Sequence, residues 1–284
     1  MSAAPRVPAN ADSTRSAHFR SALGSGTAIV GGAVAAVVAF TIGAASHSAA
    51  VMIGGPIAVA VLVVVLCWYL ADSEAEEDFF DRFAEAHSMV HAARWQLDPL
   101  TPLLAGGQRR NCEHWMYGEG LGLGWYTFQV KQEHSDGGDA WTSYPFTLST
   151  VDLGESGMSR FQGIYLRRRR GMFDKLNSDA NWLARERLKK VELESSEFGR
   201  RYELWADAAQ DDLALRQLFS PSFVVWLADH PLQPGFELRA GELVVFVPQH
   251  CGEAGRLEWL LMAAREIAKR IRLELTEAAQ AGSR

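Results

Sequence analysis

The sequence predicts an α+β protein: a two-helix transmembrane hairpin followed by a cytosolic, largely antiparallel α+β domain. Three observations predict it. Two uncharged runs, Gly24 to Ala45 and Ala49 to Leu70, follow one another near the N-terminus. Strand-like stretches then recur around glycine-bearing turns between Trp125 and Pro248. Helical periodicity comes after those strands and does not alternate with them, which argues against βαβ units and a parallel sheet.

Each uncharged run is long enough to cross a hydrocarbon layer of ~30 Å as a helix. Only "SHS", Ser46 to Ser48, separates them, so the two spans form a tight hairpin. Gly31/Ala35 and Ala39/Gly43 give the first span a small-residue face for close packing on the second. Trp68 and Tyr69 close the second span as an interfacial aromatic pair. The N-terminal flank holds Arg6, Arg15 and Arg20, whereas the connecting loop has no Lys or Arg, so both chain ends are expected in the cytoplasm at the plasma membrane. Six acids then appear between Asp72 and Asp81. Carboxylates match an anionic lipid surface poorly, so this collar marks where the chain leaves the bilayer. The expected divisions are a disordered tail over 1–22, the hairpin over 23–71 and the cytosolic domain over 72–284. The domain is divisible into 95–170 and 188–284.

Within that domain the spacing of Phe79, Phe80, Phe83, Ala86, Val90 and Ala93 predicts a helix over 74–95. "QRRNCEHWMY", 108–117, reads as a short helix, and "GEGLGLGW" as an irregular break. "WYTFQVKQEH" and "AWTSYPFTLSTVDL" are strands around "SDGGD", a hairpin signal. "SRFQGIYLRRRR" is a third strand. "KKVELESSEFGRRYELWA" makes two more around a turn at Ser195 to Gly199. Two short helices divide at Ser220-Pro221, with Ser as N-cap and Pro at N1. "GFELRAGELVVFVP" is a β-hairpin turning at Ala240-Gly241, and a helix from Ala254 to Ala279 places Leu257, Leu260, Leu261, Ala264, Ile267, Ala268, Ile271 and Leu275 on one face.

The run "VELESSEFGRRYELWADAAQDDLALRQLFSPSFVVWL", the "FELRAGELVVFVP" hairpin, "CEHWMYGE" and "WYTFQV" resemble a family of uncharacterised bacterial membrane proteins of actinobacterial type. Members have a two-span N-terminus and a domain of unknown function. The resemblance implies the topology and brings no activity, ligand or catalytic residue with it.

Setting aside the three Arg and single Asp before residue 72 leaves 25 bases against 33 acids, a net charge of −8. So acidic a domain is a poor nucleic-acid binder, because phosphate neutralisation supplies most of that affinity. Cys67, Cys112 and Cys251 follow no disulfide or CxxC spacing, which suits a reducing cytosol. His87 and His91, at i, i+4, could face one metal, but a third ligand is missing and Ser88 stands where a metalloprotease needs Glu, so a surface pair is the plainer reading. Cys112, Glu113 and His114 gather a thiol, a carboxylate and an imidazole, the types a nucleophilic site uses. On a helix, however, their directions would diverge. The run Arg167, Arg168, Arg169 and Arg170 reads first as charge protecting a strand edge, and second as a contact for anionic lipid or an acidic partner. The Gly-rich "GEGLGLG" precedes a strand, not a helix, and so is no phosphate loop.

Two functions follow. One is a membrane-anchored cytosolic module acting as adaptor, sensor or envelope-associated scaffold. It needs no cofactor and contacts the lipid bilayer and a protein partner. The other is a membrane-bound hydrolase or a redox or metal protein using Cys112 and His114.

Overall fold

The structure, a computed structural model, describes residues 41, 49–133, 139–154, 160–161, 163–169 and 187–282. The expected tail (1–22) lies outside these residues, as do the first span apart from Thr41, the turn "SDGG" and Arg170. The chain forms two units, one containing the long N-terminal helix up to His87, the other containing the sheet and its helices from Ser88 onward.

The first unit is built on helix α1, Ala49–Ala86. The narrow row Val59, Val63, Cys67, Ala71, Ala75 and Phe79, at four-residue spacing, is its less exposed side. Ile57, Val61, Leu62, Val64, Val65 and Trp68 are exposed, between 48 and 59%. Toward the end of the acidic collar the Phe79 and Phe80 rings meet edge to face at 5.0 Å, and Arg82 pairs with Asp78 at 2.9 Å. Among the described residues no helix is long and apolar enough to cross a membrane. The expected transmembrane hairpin is therefore not part of the fold established here.

The helix ends earlier than its apolar spacing predicts. His87 donates its backbone N–H to Phe83 and Ala84 carbonyls, its Nδ1 donates to Phe83 O at 2.9 Å, and Ser88 takes a left-handed φ of 57°. Strand β1, Val90–Trp95, follows where helix was expected. Val90 and Ala93 fit both periods, and pairing with the next strand decides between them.

The second unit is α+β with one large antiparallel sheet. After β1 come α2 (Pro102–Ala105), β2 (Arg109–Gly118), β3 (Leu121–Glu133), β4 (Asp139–Asp152) and β5 (Ile164–Arg168). Then follow β6 (Leu188–Val191), α3 (Ser196–Arg201), β7 (Tyr202–Asp207), α4 (Asp212–Leu218) and α5 (Pro221–Asp229). The hairpin β8 (Gly235–Arg239) and β9 (Glu242–Pro248) leads into α6 (Ala254–Gly282). The nine described strands lie in the order β1-β2-β3-β4-β9-β8-β5-β7-β6, every neighbouring pair antiparallel. The helix expected over 108–117 is thus strand β2 from Arg109, and the break expected over 118–125 is a tight turn at Glu119 and Gly120 leading into β3. Glu119 and Gly120, with φ of 51° and 74°, close the β2–β3 hairpin tightly; Ala240 and Gly241 (50° and 85°) do the same for β8–β9.

Both sheet faces are buried. On one, Tyr126, Phe128, Tyr144, Phe146, Val244 and Phe246 form a core with Leu103 and Leu104 of α2, and Tyr126 donates its hydroxyl to Leu104 O at 2.7 Å. On the other, Phe236 of β8 stacks on Phe219 with ring centres 6.0 Å apart, and Phe219 in turn meets Phe198 and Phe223. Helix α6 buries the expected stripe through Leu257, Leu260, Leu261, Ala264, Ile267, Ala268 and Ile271. Its Arg272 donates to Asp152 O at 3.1 Å, and Arg270 donates to Ser220 Oγ. Ser220 occupies the α5 N-cap position without a cap hydrogen bond, so the expected capping role is corrected: its hydroxyl is engaged by Ser222 and Arg270.

Candidate functional site

The residues singled out in the sequence do not converge. Cys112 lies on β2 facing the aromatic core, 2% exposed, and burial with the adjacent Glu113 charge pushes its thiol up to about 12. Glu113 points from the next strand position and accepts from Asn111 at 2.8 Å. A bulge between Glu113 and Met116 sets His114 at a φ of 49°. His114 stacks with His91 of β1 at 5.6 Å and meets the edge of Trp125 at 5.0 Å. Trp125 stacks on His250 at 4.8 Å and donates its indole N–H to Cys251 O at 2.8 Å. The structure therefore joins His91 and His114, which the sequence kept apart, and places His91 on strand β1 where a helix shared with His87 was expected. Parallel stacking aims ring faces, not nitrogens, at one another. Among the described residues no three His, Cys, Asp or Glu side chains gather as metal ligands.

The arginine run also divides. Strand β5 lies between β8 and β7, so it is internal, and the edge-protection reading is corrected. Arg167 is 1% exposed and pairs with Glu203 of β7 at 2.7 Å, while Arg168 is half-buried and Arg169 exposed. Cross-strand register puts Glu203 and Arg167 on one face with Tyr165, Trp205 and Glu237 of β8. Glu237 is 1% exposed; its Oε2 accepts the Leu103 N–H at 2.8 Å, while its Oε1 has no hydrogen-bond partner among the described residues. Burial pushes the Glu237 carboxyl up to about 7, opposed by Leu103 N–H, Thr101 and the Arg167 and Arg239 charges. These are interior groups answering one another. None of them lines the groove at the β2–β3 turn.

That groove lies elsewhere in the same unit. It is shallow and open to solvent, with a volume of about 310 Å³, and Trp95, Trp115, Tyr117, Thr150, Asp152 and Glu242 are among its lining residues. Each wall has a local cause. The β2 bulge bends the strand, and the rings of Trp95 and Tyr117 meet at 4.9 Å although the register sets Trp95 opposite Cys112 and Tyr117 opposite Val90. The Trp115 ring lies against glycine backbone: a Cβ on Gly122 would stand 2.1 Å from its Cζ2, and one on Gly124 2.8 Å from its Cε3. "GEGLGLG" is thus the turn and seat of an indole, which explains its glycines without any phosphate. Asp152 and Glu242 are cross-strand partners at the end of β4 and the start of β9. Burial, then the charges of Asp152 and Asp98, together push the Glu242 carboxyl up to about 7 against a Thr150 hydrogen bond. Asp152 Oδ1 accepts the Gly154 N–H at 2.8 Å.

No protein-family model matches the chain, and no curated protein matches its sequence. Its structure is similar to the crystal structure of the mycobacterial trehalose monomycolate transport factor A, TtfA, at 11% identity. The match covers 69% of this chain and 94% of that one, with a TM-score of 0.46. A likeness that shallow carries no functional argument.

Proposed function

We propose that this chain is a membrane-anchored binding module, with both ends in the cytoplasm, serving as an adaptor, sensor or envelope-associated scaffold. The observation that carries the reading is the surface of α1. Ile57, Val61, Leu62, Val64, Val65 and Trp68 are apolar and exposed, within an uncharged sequence from Val51 to Leu70. Water tolerates scattered exposed apolar residues, but a helix apolar nearly all round calls for a bilayer or another protein around it. The acidic collar from Asp72 to Asp81 supports a boundary immediately after it. The enzyme reading requires Cys112 as a thiolate, and a thiol pushed up to about 12 in the core is not one at neutral pH.

Cell fractionation tests the anchor. The full chain is expected in membranes and resistant to high salt and carbonate washes. Reporters fused after Arg20 and after Arg284 should both read as cytoplasmic, with one at His47 outside. Recovery of the full chain in the soluble fraction would remove the anchor from the account.

A further inference from the structure

We infer that the groove at the β2–β3 turn is a binding site for a small organic ammonium ion, its alkyl groups against the exposed rings of Trp95 and Tyr117 and its charge against Glu242 and Asp152. The inference names the ligand class of the binding module proposed above. It rests on that reading only for the word "module", because the groove lies wholly within the sheet unit.

Three features of the groove fix the chemistry. Its walls are aromatic, and the π faces of Trp and Tyr attract alkylated ammonium groups more than hydrated metal ions or anions. Its floor is acidic: the neighbouring charges that act on Glu242 are those of Asp152 and Asp98, both negative. Arg239, the cross-strand neighbour of Glu242 on β8, acts instead on Glu237 and Tyr165, and Arg272 spends its contact on the Asp152 backbone carbonyl. Among the described residues the partly buried Glu242 carboxyl forms no salt bridge, where buried acids are ordinarily paired. A volume of about 310 Å³ admits a trimethylammonium head with a short chain. The cation supplies that pairing, and Glu242 loses its proton as the ligand enters.

Choline and its neutral isostere 3,3-dimethylbutan-1-ol separate charge from shape. Isothermal titration of the full chain in an uncharged detergent should show saturable choline binding, with the isostere weaker by about tenfold or more. Glu242→Gln and Trp95→Ala should each weaken choline by about tenfold. Glu242→Gln keeps the side-chain shape, and Trp95 is 45% exposed, so neither change empties the core. Binding should also weaken as pH falls through about 7, where the Glu242 carboxyl takes up its proton. Micelles of a short-chain choline lipid distinguish sources: binding there but not by free choline keeps the chemistry and makes the ligand a headgroup. Equal binding of the neutral isostere, no binding of any choline form, or choline binding indifferent to both variants would overturn the inference. Loss of the membrane anchor in fractionation would leave this titration unaffected, so the two readings fail separately.

Discussion

Glu237 and Glu242 sit on the two arms of one β-hairpin, and both carboxyls are pushed up to about 7. Burial is the first cause for each. Their company differs. Glu237 has the Leu103 N–H at 2.8 Å, Thr101, and the positive charges of Arg167 and Arg239. Glu242 has Thr150 for a hydrogen bond and two further carboxylates, Asp152 and Asp98. One carboxyl is held by the fold, and the other is held against repulsion at the floor of an open groove. A raised carboxyl pKa alone thus does not mark a site. The sign of the charges around it, and whether a cavity opens onto it, separates an interior strut from a place for a ligand.

The strongest way to break this contrast is to delete each carboxyl. Glu237→Ala orphans the Leu103 N–H and strips a countercharge from around the buried Arg167, and should cost about 3 kcal/mol in denaturant unfolding. Glu242→Ala should cost much less, or stabilise, because it relieves crowding of like charge. Equal losses would show that Glu242 is also held by the fold. Gly122→Ala attacks the groove from its other wall. Its new methyl would meet Trp115 at 2.1 Å, and the expected loss is about 1–3 kcal/mol together with altered tryptophan fluorescence.

The pH dependence sharpens the comparison further. A carboxyl whose folded pKa stands above its ordinary value stabilises the fold while protonated. That contribution is full below about 4.5 and is lost as pH rises through about 7. Glu242→Gln removes this dependence at one position. Thermal melts should therefore show the variant gaining on the parent chain between about pH 5 and pH 7.5, the difference growing with pH. The smallest effects belong to two helix caps in which company again outweighs residue type. Asp211 accepts from Leu213 and Ala214 N–H, both at 3.1 Å, so Asp211→Ala should cost about 1 kcal/mol. Ser220 caps nothing through its side chain, and Ser220→Ala should cost less than that, limited to the loss of the Arg270 contact.

Local signals were legible in the sequence wherever neighbours in the chain settle the structure. The Ala240-Gly241 turn, the Ser220-Pro221 break and the stripe of α6 are of that kind. Val90–Trp95 was not, because Val90 and Ala93 fit two periods and only pairing with β2 selects the strand. Arg109–Gly118 was misread for the same reason: its bulge at Glu113 to Met116 breaks the alternation that identifies a strand. Arg167 looked like surface charge because nothing nearby in sequence announces Glu203, thirty-six positions on, as its partner. The groove draws Trp95, Trp115, Asp152 and Glu242 from four strands, β1, β2, β4 and β9, and no spacing rule links them. The one sequence trace of it was "GEGLGLG", whose glycines at 122 and 124 seat the Trp115 ring.

Among the described residues, the charges that act on Glu242 are those of Asp152 and Asp98, whereas those that act on Glu237 are Arg167 and Arg239. Carbon-detected NMR titration of the two side-chain carboxyls, assigned through Glu237→Gln and Glu242→Gln and repeated with saturating choline, measures this directly. Both should titrate well above the ordinary glutamate value in the free protein. Choline should lower the Glu242 midpoint and leave that of Glu237 in place. A Glu242 that titrates like an exposed glutamate, or that does not move when the cation is added, would contradict the account.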